Sequence, residues 1–148
     1  MTALNGLLVV ELCGERGQYM GKLMGDMGAR VVKLEPLQGS PERNIGPFKD
    51  DKPDPNSSLY FWARNTSKES LTVDLESPQG IALVKKLLKK ADVFLEDRKP
   101  GFLESLGLGY EVLKKTNKKL VMTSLTAFGQ DGPYRDYKSN DLVALAMG

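Results

Sequence analysis

The chain has 148 residues, 41% of them hydrophobic, and a formal net charge of +2. That is enough for one domain burying about two-thirds of its unfolded surface, and too little charge to argue for nucleic acid. Histidine is absent and Cys13 is the one cysteine. This excludes a Ser-His or Cys-His nucleophile, an internal disulfide and the common structural zinc sets. No segment approaches the roughly 20 apolar residues of a membrane span. No basic stretch followed by an apolar run opens the sequence, so a cytoplasmic location is expected.

Leu7 to Leu12 is an apolar run suited to a buried parallel strand. Gly14 and Gly17 mark a turn, and Tyr19, Leu23, Met24 and Met27 recur at helical spacing up to Gly28, a natural position just past a helix end. Arg30 to Leu34 is the next strand, completing a βαβ unit. Pro36 to Ser57 holds five prolines and reads as a long connection. A short helix is expected over Ser58 to Ala63, and a strand over Leu71 to Leu75. Ser77 then caps a helix whose first position is Pro78. Its stripe of Ile81, Val84, Leu87, Leu88 and Ala91 runs opposite Lys85, Lys86, Lys89 and Lys90, which read as a solvated face. A strand from Val93 to Glu96 breaks at Pro100-Gly101. A helix over Tyr110 to Thr116 precedes a strand over Leu120 to Leu125, a turn at Gln130 to Pro133 and a final helix from Asp141 to Met147. The alternation predicts an open, mainly parallel, Rossmann-like α/β sheet with helices on both faces.

The segments NTSKESLTVDL (from Asn65), SPQG (from Ser77) and VFLEDRKPGFLESLGLGYE (from Val93) come in an order that resembles the class III coenzyme A-transferases. That family includes the formyl-CoA, carnitine and phenyllactate CoA-transferases and, more distantly, α-methylacyl-CoA racemase. Its pattern is N-K-R-S-L-x-x-D-L, a P-x-G helix, then V-x-x-E-N-F-x-P-G-x-L-x-x-L-G. The opening GLLVVELCGERGQYMGKLMGDMGARVVKLEP and the closing TSLTAFGQDGPYRDYKSNDLVALAMG are similar to the family as well. The resemblance implies the N-terminal part of a large CoA-binding domain, truncated or split from a longer chain.

The same resemblance implies coenzyme A or acyl-CoA as substrate, with no metal. Glu15 and Arg16 would line the CoA site, although a simple turn explains Gly14 and Gly17 equally well. Asn65, Thr66, Ser67 and Lys68 match the adenosine- and phosphate-contacting segment, with the Lys68 ammonium at a phosphate. Glu69 follows where the family has arginine, which reverses the charge beside an anion. Asp97, Arg98 and Lys99 replace the family's Asn-Phe-x. Arg98 is expected to stand in for the aromatic by stacking its guanidinium on the base, an ordinary solvated turn being the alternative. Ser105 stands where some members have arginine. Lys138, Ser139, Asn140 and Asp141 align with a segment that approaches the thioester, and Arg43, in GSPERNIGP, with a substrate loop. A solvated loop is the alternative for both.

The family's nucleophilic Asp would fall beyond Gly148, so no residue of this chain is assigned the covalent step. The full-length partner state implied is an interlocked homodimer acting on acyl-CoA and carboxylic acids, without nucleic acid or membrane. A CoA-thioester racemase, and a non-catalytic CoA- or nucleotide-binding subunit, are the alternative functions.

Overall fold

The computed structural model describes residues 2–147. Its sheet contains β1 (Leu8–Leu12), β2 (Arg30–Glu35), β3 (Lys68–Thr72), β4 (Val93–Glu96) and β5 (Val121–Ser124). The strand order is β3-β2-β1-β4-β5 and all four pairings are parallel. The helices are α1 (Gln18–Asp26), α2 (Leu59–Asn65), α3 (Pro78–Leu88), α4 (Phe102–Ser105), α5 (Tyr110–Thr116) and α6 (Asp141–Met147). Two single 3-10 turns, Pro41–Asn44 and Lys49–Asp51, punctuate the long connection after β2. The open parallel α/β sheet read from the sequence is the sheet that forms.

β1 lies at the centre and is covered on both faces, which is why its apolar run is continuous rather than alternating. Val10 and Leu12 point to one side, where Val84 and Leu88 of α3, Leu103 of α4 and Leu113 of α5 complete the larger core. Val9 and Cys13 point to the other, joining Val31, Leu95 and, from α1, Met20 and Met24. Helices therefore occupy both faces, as expected.

Local chemistry sets the helix boundaries. Ser77 Oγ accepts the Gly80 backbone N–H at 3.0 Å, and Pro78 opens α3. Ser58 Oγ likewise accepts from Phe61 N–H at the start of α2. Gly28, after the end of α1, has φ of 98°, a conformation glycine enters without a Cβ penalty. Asn140 caps α6 by accepting from Val143 N–H at 2.9 Å.

Two features differ from the sequence reading. β3 spans Lys68–Thr72, three residues earlier than Leu71 to Leu75. The apolar alternation of Leu71, Val73 and Leu75 runs past the ladder, because Val73 and Leu75 pack on the larger core after pairing has ended. The last rung is Val73 N–H to Glu35 O at 2.8 Å. α4 has no counterpart among the elements expected from the sequence, since four residues are too few to show a helical period.

No helix among the described residues is long and apolar enough to cross a membrane. α6 stands apart from both cores, with Leu142, Leu145 and Met147 exposed.

Leu88 is buried in the larger core beside Val84 and Phe94. Truncating it removes apolar surface and leaves a void. Leu88→Ala is expected to cost about 2–5 kcal/mol in a urea unfolding titration. Lys85→Ala, on the exposed face of the same helix, is expected to stay within about 0.5 kcal/mol of the parent.

Candidate functional site

The chain runs from β1 outward to β2 and β3, then crosses to β4 and β5 on the opposite side. The reversal falls between β1 and β4, and the crevice outside the carboxyl ends of strands at such a point is where open α/β sheets bind ligands. A cavity of about 590 Å³ opens at this end of the sheet, over the ends of β1 and β2, with Arg98 from beyond β4 on its wall. Its walls come from Leu12 to Gly14, Leu34 to Gln38, the Val73 to Glu76 bend, and Ile81, Arg98, Phe102 and Leu106. The apolar side chains make a broad wall, and Phe102 supplies an aromatic face close in sequence to Arg98.

Asp97 organises the rim. Its Oδ2 accepts the Gly14 N–H at 2.8 Å and the Gly17 N–H at 3.2 Å, tying the β1–α1 turn to the end of β4. A carboxylate taking two backbone donors is a strong local lock. Glu15 and Arg16 ride on that turn, exposed. Glu15 Oε1 accepts from Tyr60 Oη at 2.7 Å, and Arg16 Nη2 donates to the Ser139 carbonyl at 3.4 Å. The fixed turn therefore brings Glu15, Arg16, Asp97 and Ser139 together, with Arg98 beside them lining the cavity. Arg98 Nε donates to the Leu12 carbonyl at 3.4 Å and lies 3.7 Å from Asp97 Oδ1.

Other residues singled out from the sequence are placed elsewhere. Lys68, expected at a phosphate, is held inside the protein under α1. Its Nζ donates to Glu11 Oε1 and Oε2 at 2.9 and 2.8 Å, to Gln18 O at 2.6 Å and to Asn65 Oδ1 at 2.9 Å. An ammonium has three protons, and these four acceptors use them all. Burial pulls the Lys68 ammonium below its ordinary pKa while the Glu11 carboxylate pulls it back up. Asn65 itself donates to Gln18 Oε1 and Phe61 O, and so braces α1 against α2. Ser67 turns the chain at φ of 62° and donates to Asp26, while Thr66 is exposed. Glu69, the reversed charge, forms a surface ion pair with Arg30 at 2.8 Å. Lys99, Ser105, Lys138, Asn140 and Asp141 are exposed, Ser105 bonding to its own helix at Phe102 O.

Arg43 is a brace. Its guanidinium grips Glu35 through Nε and Nη2, each at 2.7 Å, and lies 4.0 Å over the Phe61 ring. Glu35 also accepts from Ser40 N–H and Ser70 Oγ. Burial pushes the Glu35 carboxyl up, but Arg43, Ser70 and Ser40 outweigh it and hold the pKa at about 2. The loop after β2 is thereby pinned over the cavity. Leu37, Phe102, Leu106 and the Val73 to Glu76 bend were not read as site residues, since apolar residues at element ends look like core in a sequence. Their position after strands was the available signal.

Two expected outcomes follow from the buried charges. Lys68→Ala leaves the Glu11 carboxylate short of a cation and is expected to destabilise the fold by about 3–5 kcal/mol in urea unfolding. A surface phosphate ligand would leave stability unchanged. Glu35 has a folded pKa of about 2 against an ordinary 4.5. Its contribution, roughly 3 kcal/mol, is present above pH 4.5 and is lost as pH falls from there toward 2. Glu35→Gln is expected to flatten that segment of the stability–pH curve.

Comparison with known proteins places the chain in a family. The family model described as CoA-transferase family III matches residues 4–148. The chain is 38% identical over 139 residues to the succinyl-CoA:(R)-benzylsuccinate CoA-transferase subunit BbsE of Thauera aromatica, covering 94% of this chain and 34% of that one. It is 40% identical over 148 residues to the succinate–glutarate CoA-transferase of Agrobacterium fabrum, covering 97% and 37%. A CAIB/BAIF family protein from Brucella suis superposes with a TM-score of 0.90 at 38% identity, over 99% of this chain and 39% of that one. The chain thus spans somewhat more than a third of the length of these relatives. With the family pattern matched from residue 4 onward and the fold superposed throughout, this chain belongs to CoA-transferase family III.

Proposed function

We propose that this chain is the N-terminal, CoA-binding portion of an acyl-CoA:carboxylate CoA-transferase, part of that enzyme's large CoA-binding domain. The observation that carries the reading is the cavity over the ends of β1 and β2, with Arg98 and Phe102 on its wall and Arg16 on the adjoining turn. An aromatic face beside a guanidinium suits a nucleotide base, and the cationic rim suits phosphate. Arg98 contacts the adenosine, while Glu15, Arg16 and Ser139 border the path of the CoA tail. Asp97 sets that rim rather than binding ligand. Arg43 acts through the loop it pins. Lys99, Lys138, Asn140 and Asp141, all exposed, are free to meet a bound acyl-CoA. The complete protein moves CoA from an acyl-CoA to a carboxylic acid in the cytoplasm as an interlocked homodimer, and its covalent step falls to an Asp outside residues 1–148. The transferases among its relatives, acting by their names on succinyl-CoA and glutarate, support this reading.

Titration calorimetry of CoA into the protein tests it. Binding is expected, and Arg98→Ala is expected to weaken it about tenfold, equivalent to about 1.4 kcal/mol. Incubation with acyl-CoA and hydroxylamine, followed by mass spectrometry, is expected to leave Asp131 and Asp141 unmodified and to show no turnover. Millimolar CoA that releases no heat would remove the CoA-binding claim. A modified Asp in this chain would relocate the nucleophile.

A further inference from the structure

Glu96 is a buried acid at the strand end from which Arg98 departs. It closes β4, is 3% exposed, and stands in register with Leu12 of β1 on one side and Ser124 of β5 on the other. Its Oε2 accepts the Arg98 backbone N–H at 2.8 Å. Burial, with the Asp97 and Glu104 carboxylates, pushes its carboxyl above the ordinary range, and the bonds from Ser124 and the Arg98 N–H only partly offset this.

A buried acid among other acids is costly, and an apolar side chain would fill the same space without that cost. What Glu96 supplies in return is an acceptor for the part-buried Arg98 N–H, which would otherwise lack one at the point where the ladder ends. The Arg98 guanidinium has looser partners, the Leu12 carbonyl at 3.4 Å and Asp97 Oδ1 at 3.7 Å. Asp97 spends its other oxygen on the Gly14 and Gly17 amides. The place of the guanidinium at the cavity is therefore set by the main chain that carries it, and Glu96 makes the short bond to that main chain.

We propose that Glu96 is a positioning residue for Arg98, its carboxyl fixing the backbone from which the guanidinium reaches the cavity. The proposal rests on the CoA reading, in which Arg98 contacts the adenosine, and supplies the support behind that contact. The role calls for an acceptor of the right length and shape, with or without charge.

The test titrates CoA by calorimetry into wild type, Glu96→Ala, Glu96→Gln, Arg98→Ala and the double variant Glu96→Ala/Arg98→Ala, and records each ligand-free melting temperature. Glu96→Ala is expected to weaken binding about tenfold, as Arg98→Ala does. In the double variant the loss is expected to stay near tenfold, since a residue that acts through Arg98 has nothing left to position. Glu96→Gln keeps an acceptor and is expected to bind within about twofold of wild type. A general structural role would lower the melting temperature and give losses that multiply to about a hundredfold in the double variant. That outcome, or equal affinity in Glu96→Ala and wild type, or Glu96→Gln binding as poorly as Glu96→Ala, would overturn the assignment and leave the CoA reading standing.

Should Glu96→Ala not fold, NMR of the wild type decides. The Arg98 amide resonance is expected to move with pH as Glu96 ionises, with a midpoint above the ordinary 4.5, and to lose that titration in Glu96→Gln. The other charged groups facing Glu96 are Asp97 beside it, Lys99 in the turn and Glu104 of α4. A titration that persists in Glu96→Gln belongs to one of them and would overturn the assignment. Wild-type protein that binds no CoA would overturn the reading and the assignment together.

Discussion

The structure depends on one buried carboxylate. Glu11, wholly inaccessible in the central strand, accepts from Lys33 of β2 at 3.2 Å and from Lys68 of β3 through both oxygens. Buried ions are expensive to desolvate and repay that only when every donor and acceptor is engaged. Both cations have acceptors beyond the carboxylate: Lys33 also donates to the Cys13 carbonyl at 2.6 Å, and Lys68 to the Gln18 carbonyl. Those two carbonyls bracket the β1–α1 turn, so the ionic cluster fixes both ends of the segment that borders the cavity. It also dictates Gly21, because any Cβ there would overlap Glu11 Oε2 as α1 crosses the sheet.

A second carboxylate does comparable work one strand away. Glu35 draws Arg43, Ser40 and Ser70 around it, so the loop after β2 folds back over the end of β3. Asp97 anchors the same region from β4 by taking two amides of the glycine turn. Three acidic side chains at or near strand ends thus convert an open sheet edge into a shaped cavity. The cations that serve Glu11 and Glu35 are Lys33, Lys68 and Arg43, whereas Arg98, 3.7 Å from Asp97, and Arg16 stand at the rim.

Much of the scaffold was legible in the residues. Continuous apolar runs gave the central strands, and Ser77-Pro78 with the Ile81, Val84, Leu88 stripe gave α3 with its buried and exposed faces in the right places. Gly28 closed α1 as its φ requires. The site was legible in outline only. A lysine within a polar segment looks like a surface cation, and nothing local in Asn65 to Lys68 reveals that Lys68 turns beneath α1 to meet a carboxylate 57 positions earlier. Glu11 in an apolar run could have raised the question, since a buried acid needs a cation from elsewhere in the chain. Arg43 was hidden for the same reason, its partner being set by how the proline-rich connection folds back. β3 was displaced because an edge strand lacks the two-sided burial that marks its neighbours.

Cys13 lies at the junction of these constraints. It is 2% exposed, its carbonyl is held by Lys33, and its sulfur packs against the backbone of the glycine turn. Burial, reinforced by the Asp97 and Glu11 carboxylates, pushes its thiol well above the ordinary range. The thiolate is the reactive form, so the native protein withholds its single thiol from alkylating reagents. Reaction requires the β1–α1 junction to open first. The rate of Cys13 labelling is therefore a clock for that opening, read at one atom without an added probe, and it times the breathing of the segment on which the cavity rim is built.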